Sequence, residues 1–520
     1  MCEYVSMTHR LLQWTGSPLV DVGIAAVCAM VGKNTPEELT LGDLDTAAKE
    51  MEEYYFSGLL GSYLTCVFMN SEYVQPGEGP KKIESRKNYA KRVLYAHRSE
   101  ADRSAAGYRC VFSGLPATHL IHRGQMPMLT GEGVLNFYPS GTGALPISGP
   151  YLTALQALPM GGRRAEGKLL IAHSDSSVLT LALARLYVED NRRLFALSSS
   201  GRLPGREGPD ETLNREQAAW DAAKKKAKYP DAKSAASLVT ADLMEVWDAK
   251  GLTLHGMGSP SITVYWLSSS GQGPSLEMYH LPSNLIRFLV LAGEPNTRPQ
   301  WRRLVGRGWQ SPTQDETGVA GVGAKKRRKV ASRVTGGPGR SRNLVLADLF
   351  SIYESGFIDL RTAARFLRWH VLSELRGKIE HPGDCDWALT ELFLREVFGM
   401  EPERIAAIRG FADRLAEHVK GRNDRRLFRD LVYAKRSSEV RNALTKAQRN
   451  EARENNQLLF GLDEYLQVFE AEDSVGRLEW GLTRDLISIR LVEQLQLAGF
   501  LNKEMLTEDE DSADTPALAS

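Results

Sequence analysis

Long apolar runs, cysteine and any excess of one charge sign are scarce in this 520-residue sequence, and each shortage closes a class of function. No run of about 18 apolar residues occurs, so no membrane-spanning helix is expected. The N-terminus lacks the basic-then-apolar pattern of a secretory signal, which points to a cytoplasmic protein with no membrane partner. Cys2, Cys28, Cys66, Cys110 and Cys385 are odd in number and widely scattered, against a disulfide framework. Also missing are the Gly-x-x-x-x-Gly-Lys-Ser/Thr phosphate loop, the Gly-x-Ser-x-Gly elbow and the His-Glu-x-x-His zinc motif. His173 with Asp175, and His370 with Glu374, stand without an assignable nucleophile or ligand set, so no enzymatic activity and no cofactor are expected.

Lys plus Arg number 65 against 64 Asp plus Glu, so the overall balance alone names no polyanionic partner. The distribution does. The tail from Glu504 holds Glu504, Glu508, Asp509, Glu510, Asp511 and Asp514, and without it the formal charge moves from +1 to +7. Between Pro402 and Arg453, fourteen Lys and Arg face seven Asp and Glu, among them Lys420, Arg422, Arg425, Arg426, Arg429, Lys435, Arg436, Arg441, Lys446, Arg449 and Arg453. Such a surface attracts phosphates through counterion release, and guanidinium groups bind phosphate oxygens two at a time. The alternative is a solvated helix face laced with ion pairs four residues apart.

Two further basic clusters stand out. Lys81, Lys82, Arg86, Lys87, Lys91 and Arg92 follow the loop "MNSEYVQPGEGP", where Asn70 and Gln75 are of the type that reads base edges while the cations fix register on the backbone. An ordinary turn before a basic helix is the alternative. Lys325, Lys326, Arg327, Arg328 and Lys329 form a compact block that fits a phosphate-contacting loop, a solvated linker or a nuclear import signal.

The length predicts two or three domains. Residues 1–305 alternate short apolar runs with Gly and Pro, as in "VDVGIAAVCAMVG", "YLTCVFMN", "KLLIAHSD", "RRLFALSSS" and "SITVYWLSSSG", which predicts an α+β region of short strands and helices. Within it a helix is expected over about Asp43 to Leu60 with Asp43 as N-cap, and an exposed insertion over Gly201 to Ser234 with a short helix around Ala218 to Ala227. Residues 306–342 read as a flexible basic linker, and 504–520 as a disordered acidic tail. Residues 343–503 carry helical stripes and predict an all-α bundle. The stripes are Leu346, Leu349, Phe350 and Tyr353; Ile405, Ile408, Ala412, Leu415 and Val419; and Leu478, Leu482, Leu486, Ile489 and Val492, with Gly499 placed to stop the last helix.

Cys110, His119 and His122 supply only three ligands for zinc, one short of a closed tetrahedron. Three stretches together resemble the large subunit of type I-B CRISPR Cascade complexes, Tneap-subtype branch. They are "QWTGSPLVDVGIAAVCAMVGKNTPEELT" (13–40), "CVFMNSEYVQP" (66–76), and "YRCVFSGLPA" with "MPMLTGEGVLNFYPSGTGALPISGPYLTALQALPMGG" (within 108–162). Family members often carry two Cys-x-x-Cys pairs around the third stretch. Here Cys110 remains while the matching positions read Ser113, Ser148 and Tyr151, so the resemblance implies a zinc-ribbon-like segment that has lost its metal.

The resemblance further implies a non-catalytic subunit that recognises the protospacer-adjacent motif and stabilises the R-loop. Its partners would be guide CRISPR RNA, target double-stranded DNA, the other Cascade backbone and small subunits, and a recruited helicase-nuclease or transposition proteins. Asn70 and Asn136 are the bets for motif reading. Two other readings remain open at this point: a nuclear or cytosolic nucleic-acid-associated scaffold protein, and a metal-dependent hydrolase with an unrecognised site.

Overall fold

Fourteen residues from Pro18 to Val31 form helix α1, which supplies the centre of the N-terminal core. Pro18 occupies the first turn, where its missing N–H costs nothing, and Gly32 at φ +73° ends the helix in the left-handed conformation that glycine favours. The run is apolar on all sides, and Val20 to Cys28 are buried without a break, so this helix has no solvent face. The structure, a computed structural model, describes residues 10–57, 60–75, 77, 79–129, 144–165, 168–199, 231–250, 259–270, 273–309, 343–371, 387–454, 458–470 and 479–501. The chain divides into two compact units, residues 1–294 with 305–350, and 295–304 with 351–520.

In the first unit α1 is followed by α2 (Leu41–Phe56), α3 (Gly61–Val67), α4 (Pro80–Leu94), α5 (Gly149–Gln156), α6 (Ser177–Ser199), α7 (Ala232–Lys250) and α8 (Ser283–Ala292). The cap of α2 is Thr40, whose hydroxyl accepts from the Asp43 N–H while the Asp43 carboxylate accepts from the Thr40 N–H; Asp43 is therefore the third helical residue of a capping box and not the expected N-cap. α1 packs against α5, α6 and α2. From α6, Arg192 donates from Nη2 to the Met30 carbonyl at 2.7 Å, which satisfies an orphan carbonyl at the end of α1, and holds the Glu50 carboxylate of α2 through Nε and Nη2.

The strands are few and antiparallel. β1 (His119–Ile121) pairs with β2 (Leu145–Ile147), and β3 (Arg163–Ala165), β4 (Lys168–Ser174), β5 (Ile262–Ser270) and β6 (Gly273–Leu281) lie in the order 3-4-5-6. "KLLIAHSD" and "SITVYWLSSSG" thus form strands as expected, whereas "VDVGIAAVCAMVG", "YLTCVFMN" and "RRLFALSSS" do not. They belong to α1, α3 with the turn after it, and α6. Burial on every side hides the 3.6-residue period that would separate a helix from a strand. Among the described residues the chain is mostly helical with two small antiparallel sheets.

The boundary expected at Gly306 falls inside α9 (Arg298–Gly308), where Trp301, Leu304, Val305 and Trp309 are buried. Residues 310–342 lie outside the described residues, as do 200–230 and 502–520; α7 begins at Ala232, inside the expected insertion. α10 (Leu344–Ser351) joins the first unit and not the bundle. Asn343 explains this: its amide donates to the Val305 carbonyl at 3.0 Å and its Oδ1 accepts from the Leu346 N–H.

Among the described residues the second unit contains helices and no strand. Besides the first part of α9, to Leu304, they include α11 (Leu360–Phe366), α12 (Trp387–Glu396), α13 (Pro402–Arg422), α14 (Arg425–Val432), α15 (Ser437–Arg453), α16 (Leu462–Phe469) and α17 (Glu479–Leu497). The stripe Ile405, Ile408, Ala412, Leu415 and Val419 is buried along α13. In α17 the buried line is Leu482, Leu486, Ile487, Leu491 and Leu495, so Ile489 and Val492 stand beside it instead of on it. Gly499 ends this helix at φ +65°. No helix among the described residues is long and apolar enough to cross a membrane.

Two predictions follow from the packing of α1. A Cβ added at Gly23 would sit 2.1 Å from the Ala154 carbonyl oxygen of α5, whereas one at Gly421 meets nothing within 4 Å. Gly23→Ala is expected to lower stability by about 2 kcal/mol or more, and Gly421→Ala to leave it equal or slightly higher, as read from urea midpoints. Asp21, buried in α1, is the second site. Burial raises its pKa, but His173, the Thr15 hydroxyl and N–H and the Gly16 N–H outweigh burial and hold it below 3.8. A carboxylate lowered on folding contributes stability above its unfolded pKa of about 3.9, and that contribution is lost as pH falls through the folded value. Asp21→Asn should therefore destabilise the chain at neutral pH and flatten the acid limb of its stability profile.

Candidate nucleic-acid interface

The end of α13, α14 and α15 together carry eleven of the sequence-predicted cations, and the surface they form is the candidate face. α14 is one short amphipathic helix, "RRLFRDLV", with Leu427, Phe428 and Leu431 buried and Arg425, Arg426 and Arg429 exposed. The turn that launches it comes from Asn423, left-handed at φ +52°, and from Asp424, whose side chain accepts the Leu427 N–H at 2.9 Å. α15 buries Val440, Ala443, Leu444 and Ala447 and exposes Arg441, Lys446, Arg449 and Arg453. Lys420, Lys435 and Arg436 are exposed at the junctions.

Where the acids of this segment are spent decides its character. From Lys420 to Arg453 eleven Lys and Arg accompany only Asp424, Asp430, Glu439 and Glu451. Asp424 caps α14. Glu439 reaches back to accept the backbone N–H groups of Lys435 and Arg436 at 2.6 and 3.2 Å. Glu451, largely buried, accepts two bonds from Arg422 at 3.0 and 3.2 Å. Asp430 faces a cation of the exposed set, Arg426, at 3.8 Å. Structural duties hold three of the four carboxylates in place, and the face keeps a formal excess of seven positive charges.

Arg422 departs from its expected role. Its guanidinium is tied to Glu451 and, at 2.6 Å, to Glu454, so it is a strut between α13 and α15 and not an open phosphate ligand. Arg414 and Arg409, also on α13, pair with Glu464 and Glu391.

The cluster on α4 divides in the same way. Lys81, Lys82 and Lys87 are exposed, and a concavity of about 520 Å³ is lined by Glu72, Lys81, Glu84, Ser85, Asn88, Tyr89 and Arg92. Arg86 instead donates to the carbonyls of Gln75 and, at 2.7 Å, of Gly77, holding the preceding loop. Asn70 donates its side-chain amide to the Leu129 carbonyl at 2.9 Å, so the side chain expected to read a base edge is engaged in the fold. Gln75 is exposed beside this loop. Asn136, Lys325, Lys326, Arg327 and Arg328 lie outside the described residues.

The donor set around Cys110 does not fit a zinc ion. The chain from Cys110 to Gly114 makes a tight turn, the Gly114 N–H donating to the Cys110 carbonyl at 2.8 Å with Gly114 at φ +69°. Ser113 accepts the Leu115 N–H at 3.3 Å, and the Tyr151 hydroxyl is clasped by both backbone groups of Gln13. The Phe112 and Tyr151 rings stack at 6.1 Å. One buried thiol among engaged hydroxyls is a poor ligand set. His119 shares a bond with the Thr118 hydroxyl, and burial lowers its pKa; no group of three His, Cys, Asp or Glu side chains that could hold a metal occurs among the described residues.

Against known proteins the chain matches no family model, no curated protein and no solved structure. One residue of the cationic face escaped the charge count: Tyr433, 40% exposed at the end of α14, between Arg429 and the pair Lys435 and Arg436. An exposed aromatic ring among cations offers a base a stacking platform. The signal was present in the sequence as "RDLVYAKR", where the aromatic interrupts a basic run.

The two kinds of arginine make opposite predictions. Reversing Arg425 and Arg426 to Glu should weaken binding of an oligonucleotide about tenfold or more at low salt and reduce the slope of log affinity against log salt by about two or more, with an unchanged melting temperature. Arg422→Ala should lower the melting temperature and leave that slope close to the parent. Equal slopes for all variants would remove phosphate binding from this face.

Proposed function

We propose that this chain is a non-catalytic nucleic-acid-binding protein that grips phosphates through the α13–α15 face, acting as the large subunit of a type I-B CRISPR Cascade complex. The observation that carries the first part is the excess of exposed guanidinium and ammonium groups on a face where three of the four carboxylates are held by caps and by Arg422. Counterion release from a polyanion supplies the binding energy for such a surface, with no preference for base sequence.

The second part draws on the three resembling stretches, and their mutual packing supports taking them together. Gly23 of the first stretch lies against the Ala154 backbone of the third, and Gln13 is bonded to Tyr151. Val67 of the second accepts the Met128 N–H at 2.8 Å, and Asn70 holds Leu129. On this reading the turn at Cys110 is a ribbon knuckle kept after the metal was lost. The first unit contacts the protospacer-adjacent motif and the guide RNA complex, with Lys81, Lys82 and Lys87 as its exposed cations, while the helical unit holds an opened DNA strand. Cleavage or insertion belongs to a recruited helicase-nuclease or to transposition proteins, and the complex works in the cytoplasm.

Expression of the full chain with the products of its neighbouring genes, followed by purification on a tag carried by this chain, tests the assignment. A discrete RNA of guide length is expected to co-elute, together with duplex binding that depends on a short flanking motif. Recovery of the chain alone, binding duplexes without regard to any motif, would reduce the reading to a general polyanion-binding protein.

A further inference from the structure

The same face has a second polyanion within reach, carried by the chain itself. We propose that the segment Glu504–Asp514 docks on the α13–α15 face and competes with nucleic acid for it, an inference that rests on reading that face as a phosphate-binding surface. The segment contains six carboxylates and no Lys or Arg, and four of the acids, Glu508, Asp509, Glu510 and Asp511, are consecutive. Its charge is opposite in sign and nearly equal in size to the formal excess of seven on the face.

The path of α17 fixes where this segment starts. Arg484, early in α17, donates to the Ala434 carbonyl just beyond α14, and Arg490 holds Asp413 in the middle of α13 at 2.7 Å. α17 therefore begins near the cationic turns and runs back along α13 towards Pro402. At a rise of about 1.5 Å per residue, Leu497 lies roughly 10 Å beyond Arg490, and Arg422 roughly 14 Å beyond Asp413 in the opposite sense. The gap from the end of α17 to Arg422 is thus about 24 Å along the helix axis. Measured from Leu501, Glu508 and Asp511 are seven and ten residues on, which an extended chain converts to a reach of about 23 to 36 Å. A connection of that reach is long enough for the four consecutive acids to meet Arg425, Arg426, Arg429, Lys435 and Arg436, which are exposed, and too short for Glu504 to do so.

Tethering gives this contact its effect. A segment joined by so short a connection is present at about millimolar effective concentration, enough to displace weak, transient contacts with any phosphate backbone. A strand that is also held elsewhere by base pairing or by a second protein competes successfully. The segment thereby converts indiscriminate affinity into affinity conditional on a second anchor.

The test uses the full chain, its fourfold variant Glu508→Gln, Asp509→Asn, Glu510→Gln and Asp511→Asn, and a labelled peptide of residues 503–515. Fluorescence anisotropy of the peptide against the neutralised full chain reads docking without any nucleic acid. Saturable binding at about 50 mM salt, lost at about 300 mM and lost when Arg425 and Arg426 are also reversed to Glu, is expected. In parallel, the neutralised chain should bind a single-stranded oligonucleotide about tenfold more tightly than the parent at about 50 mM salt and within about twofold at 300 mM. Absence of peptide binding overturns the proposal even if both chains bind the oligonucleotide. Peptide binding that survives the Arg425 and Arg426 reversal overturns the assigned surface. Peptide docking on a chain that binds no nucleic acid upholds the contact and overturns the function proposed for the face.

Discussion

The close approach of α1 to α5 is the constraint around which the first unit is arranged. A helix buried on every side can be surrounded only if neighbours reach its backbone, and Gly23 gives α5 that access, with the Ala154 carbonyl where a Cβ would stand. The polar consequences are then settled locally. Gly32 and the Arg192 guanidinium satisfy the last turn of α1, and Asp21, near its beginning, gathers the Thr15 and Gly16 N–H groups. Dispersion and apolar burial supply the favourable term here, and the hydrogen bonds remove penalties more than they add stability.

The second unit is governed by charge placement. Its cations are numerous enough to repel one another, and helix geometry sends them outward while Leu427, Phe428, Leu431, Val440 and Leu444 are drawn inward. Carboxylates that would neutralise the face are assigned to backbone N–H groups at two helix starts, where the helix dipole also favours them. Capping and charge segregation are thus one arrangement: each acid that begins a helix is an acid withheld from the exposed cations.

How much of this the sequence discloses depends on the range of the interaction. The stripe of α13 and the stop at Gly499 follow from local spacing and are visible before folding. The cationic face is visible too, because a count of charges needs no partner. α1 and the end of α6 are less legible, since burial on all sides erases the period that marks a helix. In α17 apolar residues surround the axis, so spacing alone could not decide between Ile487 and Ile489. Least legible are the contacts between residues far apart in the chain. Nothing near Arg422 announces Glu451, 29 positions away, and nothing near Asn70 announces Leu129. Asn343 likewise draws α10 into the first unit through Val305, a contact that no reading of residues 306–342 as a linker could foresee.

The strut between Arg422 and Glu451 sets the spacing of everything mounted on it. With α13 braced to α15, the cations of α14 stand on a short helix whose ends are fixed, so their separations are a property of the framework and not of the side chains alone. A rigid comb of charges is indifferent to the order of bases but not to the contour of the strand that carries them. Discrimination of that kind would be by curvature and phosphate pitch, a form of selectivity that needs no reading of base edges.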